Sequence, residues 1–215
     1  MYSETGCFCG EAKRSQNNRI ASGTETEVHE YPWMVYLNVK RQIGSARPTS
    51  WMCGGSLISD GWVLTAAHCV ADDQDGRVIR VSVDLGQHNI FTEAIEVLIP
   101  LSQVLMHPDY NPRTVRNDLA LLKLEDPVDF NNVPHVRPIC LPSNRDATFA
   151  GLRATVAGWG GTLESDGSHV LLETDVNVIS QDECRKKYPV SDDMLCCVSP
   201  SDGPVVQGSC QGDSG

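Results

Sequence analysis

The chain has 215 residues, 40 % of them hydrophobic, and a formal net charge of −11. That length suits one large domain or two small ones, with enough apolar residues for a sizeable core. The acidic balance argues against nonspecific nucleic-acid binding, and no apolar run approaches the roughly 20 residues that span a bilayer. Met1 to Gly6 is polar and lacks the apolar core of an export signal, so such a signal would have been removed or lie outside this sequence. Further along, short runs rich in Val, Ile, Leu and Tyr recur between turn residues. They predict strands over 33–39, 55–59, 78–85, 119–124, 154–157 and 170–179. Alternation is plain in Val81-Ser82-Val83-Asp84-Leu85, and Gly61-Trp62 and Gly158-Trp159 sit at turn-rich junctions. Val133 to Leu152 carries prolines and glycines among charged residues and reads as a linker between two β units. A short helix is expected after Ser180, with Glu183 as its capping-box partner. The acidic stretches at Asp72 to Asp75 and Asp192 to Asp193 read as solvated loop tips. Many short antiparallel strands with Gly/Pro turns predict an all-β barrel or sandwich.

The nine cysteines carry more information. Most stand alone in strand-like or turn-like segments. The tight clusters, Cys7-Phe8-Cys9 and Cys196-Cys197, lack partners at zinc-ligand spacing. Disulfides in an oxidising compartment are the expected use, and an odd count leaves at least one cysteine without a partner in this chain.

Three segments can carry chemistry. In Leu64-Thr65-Ala66-Ala67-His68-Cys69 the histidine follows small residues at a predicted strand end, which leaves its ring accessible. In Asn117-Asp118-Leu119-Ala120-Leu121-Leu122 an aspartate enters an apolar strand. Burying it is costly without a hydrogen-bond partner; an imidazole would serve, although a simple turn cap is the competing explanation. In Gln211-Gly212-Asp213-Ser214-Gly215 the flanking glycines permit a tight turn that exposes the hydroxyl and converges backbone N–H groups. A serine hydroxyl is a poor nucleophile without an adjacent base, and an imidazole, titrating at about pH 6.5, can take and return its proton. A carboxylate fixes the imidazole tautomer.

Together with Tyr31-Pro32-Trp33, Cys53-Gly54-Gly55-Ser56-Leu57, His107-Pro108, Ile139-Cys140-Leu141-Pro142 and Ala157-Gly158-Trp159-Gly160, these segments resemble the trypsin/chymotrypsin family of serine proteases over nearly the whole chain. The resemblance implies two antiparallel β-barrels with the site in the cleft between them. It divides the chain into a propeptide or light-chain segment (1–19), a first barrel (20–132), a linker (133–150) and a second barrel (151–215) whose remaining strands are expected beyond Gly215. A piece ending there would be inactive and poorly stable by itself. It implies His68 as general base, Asp118 as orienting carboxylate, Ser214 as nucleophile, and the N–H groups of Gly212 and Ser214 as oxyanion hole.

Arg19-Ile20-Ala21-Ser22 resembles an activation site, with Ala21-Ser22 where the family commonly has Val-Gly. Cleavage after Arg19 would free the Ile20 amine to pair with Asp213. The family's disulfide pattern implies Cys53–Cys69, Cys184–Cys196 and Cys9–Cys140, the last holding the propeptide after cleavage. Cys210 would pair beyond Gly215, and Cys7 and Cys197 are additions that either bridge each other or are free. Gly208 falls at the base of the specificity pocket, where trypsin-like members carry aspartate, and this favours a chymotrypsin-like, elastase-like or broad preference. Gln87 stands where calcium-binding relatives have a carboxylate, so no metal or other cofactor is expected. The expected partners are protein or peptide substrates, an activating protease and protein inhibitors, in a secreted, extracellular setting without nucleic acid or membrane. The competing reading is a non-catalytic homologue that acts as a binding protein. An α/β hydrolase fails on the order of the three residues.

Overall fold

In the computed structural model the described residues are 9–12, 23–72, 76–92, 95–100, 103–144, 146–161 and 167–200. They form two antiparallel sheets. The larger has seven strands: β2 (Met34–Gln42), β3 (Thr49–Leu57), β4 (Trp62–Thr65), β5 (Arg77–Leu85), β6 (Ile95–Ile99), β7 (Val104–Met106) and β8 (Ala120–Lys123). Their spatial order is β6-β5-β2-β3-β4-β8-β7. The smaller centres on β10 (Leu172–Ile179). One edge of β10 pairs with β9 (Arg153–Gly158), and the other with β1 (Thr24–Glu25) and β11 (Cys196–Val198) at opposite ends. Two short helices complete the described fold: α1 (Ala67–Val70) and α2 (Gln181–Arg185).

Period-two alternation builds the larger sheet. Along β2, Val35, Leu37 and Val39 are buried while their neighbours are partly exposed. In register, Leu37 lies opposite Cys53 on β3 and Val83 on β5, and Val35 lies opposite Gly55 and Leu85. Val63 and Leu122 face each other across β4 and β8. These side chains form one continuous core, which is what a half-buried strand pattern predicts. Gly55 is required by that packing, since a Cβ there would lie 2.9 Å from Leu37 Cδ1 and 3.1 Å from the Leu64 carbonyl oxygen.

The predicted strands over 33–39, 78–85, 119–124, 154–157 and 170–179 overlap β2, β5, β8, β9 and β10; the run at 55–59 is the end of the longer β3. Strands β1, β6, β7 and β11 were not predicted, and β4 was foreseen only as the strand end before His68. The helix after Ser180 has a complete capping box: Ser180 Oγ accepts from the Glu183 N–H, and the Glu183 carboxylate accepts from the Ser180 N–H.

The sheets meet along a backbone ribbon. Ile90 N–H donates to the His169 carbonyl at 2.8 Å, Leu171 N–H donates to the His88 carbonyl at 2.9 Å, and Asn89 bridges Val170. Trp159, 1 % exposed, packs edge-on against Tyr36 and donates its Nε1–H to the His88 carbonyl at 2.9 Å. Tyr31 donates its hydroxyl proton to the Glu173 carboxylate, so a strand-entry residue of one sheet is tied to β10 of the other.

Candidate active site

His68 lies on α1, one turn of helix that follows the end of β4 at Thr65; the predicted strand end is present, and the helical turn after it was not foreseen. Its neighbours Ala66 and Ala67 are small and buried, which lets the turn press into the core and leaves the imidazole outside at 41 % exposure. The next residue, Cys69, is bonded to Cys53 on β3, and this pins the helix to the sheet. The last carbonyls of so short a helix have no intrahelical donors. Arg41 supplies them. Its Nη2 donates to the carbonyls of His68 at 2.7 Å and Cys69 at 3.2 Å. Arg41 occupies the next inward position of β2 after Val35, Leu37 and Val39 and is only 5 % exposed. It was legible as an arginine at a core position, but its role was missed. Arg41→Ala leaves two carbonyls unsatisfied and is expected to cost about 2–3 kcal/mol of stability, read from denaturant unfolding.

Asp118 lies two residues before the start of β8, which pairs with β4, so both partners flank adjacent strands on the same side. Asp118 accepts from His68 with both oxygens: the backbone N–H to Oδ1 at 2.8 Å, and Nδ1 with Oδ2 at 2.6 Å. A carboxylate only accepts, so this contact places the imidazole proton on Nδ1. The bond is therefore of the kind that keeps Nε2 as an acceptor. His68 Nε2 lies 3.7 Å from Cys69 Sγ, and a disulfide sulfur is a weak partner. Asp118 is 20 % exposed, so the pair is partly sheltered on its aspartate side and open on its imidazole side. Such an arrangement can receive a proton from a hydroxyl brought to Nε2 and stabilise the resulting imidazolium.

A model of the Trypsin family matches residues 20–215. The chain belongs to the trypsin family. Similar proteins include trypsin-2 of Salmo salar, 34 % identical over 205 residues that cover 94 % of this chain and 79 % of that protein. The serine proteinase stubble of Drosophila melanogaster is 36 % identical over 213 residues, covering 92 % of this chain and 25 % of that protein. A solved structure of HL collagenase superposes with a TM-score of 0.73 at 32 % identity, covering 91 % of this chain and 79 % of that one. For a trypsin-family chain the all-β architecture of two antiparallel barrels follows, and serine protease is its activity class.

The other sequence-predicted site residues divide into two groups. Cys9–Cys140, Cys53–Cys69 and Cys184–Cys196 are bonded, and Cys197 is an exposed free thiol whose partial burial raises its pKa. Cys7, Arg19, Ile20, Gly208, Cys210, Gly212, Asp213 and Ser214 lie outside the described residues. Gln87 is buried two residues past the end of β5. Asp192 and Asp193 form an exposed turn, as the sequence suggested, and Asp193 also makes a contact that the sequence did not show. Its Oδ2 accepts the N–H of Asn117 at 2.8 Å, and its Oδ1 lies 3.6 Å from Arg116 Nε. The neighbouring Ser191 hydroxyl, the Asn117 amide and the Arg116 charge hold its pKa down at about 2. Ser191 Oγ falls short of full hydrogen-bond geometry, so the Asn117 amide is the well-formed contact.

Proposed function

We propose that this protein is a secreted serine endopeptidase made as a zymogen, with His68 as general base, Asp118 as its orienting carboxylate and Ser214 as nucleophile. The observation that carries this reading is the two-point clasp of His68 by Asp118, which dedicates Nδ1 and leaves Nε2 for the proton of an incoming hydroxyl. Ser214 attacks the substrate carbonyl while its proton passes to His68 Nε2. The N–H groups of Gly212 and Ser214 hold the oxyanion, and His68 returns the proton to the leaving amine. Water then repeats the sequence on the acyl-enzyme. Cleavage after Arg19 by an activating protease frees the Ile20 amine for Asp213, and the Cys9–Cys140 bond keeps the cut segment attached. Gly208 offers no carboxylate to a basic substrate side chain, which favours an apolar or broad preference. The disulfides favour an extracellular setting, where protein inhibitors are further partners.

A serine-directed phosphonate applied to the full-length protein after limited cleavage at Arg19 tests this. Stoichiometric labelling that disappears in Ser214→Ala and His68→Ala is expected. No labelling of the cleaved wild type would favour the alternative, a non-catalytic binding homologue.

A further inference from the structure

The turn that delivers Asp118 is built on unusual backbone. Asn117, immediately before it, has φ of 53°, and Val115 has the same value. Left-handed φ is tolerable for Asn and a genuine outlier for a β-branched residue. It persists only where the surroundings over-determine it. Most of the ties here are local. Asn117 Nδ2 donates to the Asp109 carbonyl at 3.0 Å, Leu119 N–H donates to the Asn117 carbonyl at 2.8 Å, and Asn111 N–H donates to the Arg116 carbonyl at 3.0 Å. One is not local. Asp193, 76 positions away in the loop between α2 and β11, accepts the Asn117 N–H at 2.8 Å.

We propose that Asp193 is a positioning residue for the Asp118–His68 pair: by clasping the Asn117 amide it holds the left-handed turn that fixes the direction from which Asp118 reaches His68. The proposal rests on the catalytic reading of His68, Asp118 and Ser214. Its physical basis is that both Asp118 oxygens are already committed, at 2.8 and 2.6 Å, to two groups of one residue. A carboxylate so engaged has no spare orientation. Relaxation of Asn117 into the right-handed region would rotate the Cα–Cβ direction of Asp118 and break at least one of those bonds. The clasp also joins the two halves of the molecule, since Asp193 belongs to the segment leading into β11 and Asn117 to the one leading into β8.

The test compares Asp193→Ala with Asp193→Asn in the activated full-length protein. One readout is turnover of a small ester. The other is the low-field proton NMR resonance of His68 Nδ1–H, which reports the Asp118 bond whether or not catalysis occurs. D193A is expected to lower kcat about ten- to a hundredfold with KM within about twofold, and to broaden or erase the resonance. D193N keeps an oxygen for the Asn117 amide and is expected to stay within about threefold of wild type with the resonance present. Should D193A fail to accumulate, Asp193→Ser, too short to span to the amide, takes its place with the same outcomes. Wild-type kcat and an unchanged resonance in the alanine or serine variant would overturn the proposal, and so would an equal loss in D193N. A wild type that never turns over ester would instead overturn the protease reading, while the resonance would still decide the role of Asp193.

Discussion

Asp118→Asn in the activated full-length protein is expected to lower kcat by about ten-thousandfold, a magnitude taken over from Ser-His-Asp triads generally. The geometry here explains why so small a change should matter. Asp118 accepts twice from His68, once from the backbone N–H and once from Nδ1. Asparagine has one oxygen and one NH2 group. If the oxygen keeps the backbone N–H, the NH2 faces Nδ1 and forces the proton onto Nε2. The imidazole can then no longer accept a proton from Ser214. If the oxygen keeps Nδ1, two N–H donors confront each other at the backbone. KM for a small ester is expected to change little, because Asp118 lies behind His68. A kcat within tenfold of wild type would contradict the assigned role, and stopped-flow measurement of acylation reads it directly.

The second large effect is on stability. Leu37 is fully buried at the centre of β2, opposite Cys53 and Val83 and directly over Gly55. Leu37→Ala removes a side chain that those rigid backbones cannot close upon, and is expected to cost about 2–5 kcal/mol. For a protein of this size that lowers Tm by about 10 °C. The comparison is Ile43→Ala just past the same strand, 57 % exposed, which is expected to stay within about 0.5 kcal/mol. A loss below about 1 kcal/mol at Leu37 would mean that the sheet relaxes to fill the hole.

What the sequence made legible follows from which interactions are local. The alternation of β2 and β5 and the capping box at Ser180 are short-range patterns, and strands and a helix stand there. β7, only 3 residues long, is too short for a periodic signal and is a strand by virtue of its pairing with β8. The site divides in the same way. His68 and Asp118 were identifiable because each is an odd residue in its own segment. Arg41 and Asp193 were not, because their significance lies in carbonyls and an amide 27 and 76 positions away. Arg41 left one trace, a charge on the inward phase of an apolar alternation. Asp193 left none, since an acidic pair in a loop looks the same whether or not it touches anything.

The ribbon formed by His88 to Ile90 and His169 to Leu171 bears on how the molecule comes apart. Two lobes joined by a flexible linker would open like a hinge and melt in separate steps. Here the amides of Ile90 and Leu171 are spent on the opposite lobe, and the indole of Trp159 is anchored across the same line. Neither lobe can loosen without surrendering bonds that belong to both. The two lobes therefore share one thermodynamic fate. Those two amides should exchange with solvent as slowly as the strand centres, and the calorimetric trace should show a single peak.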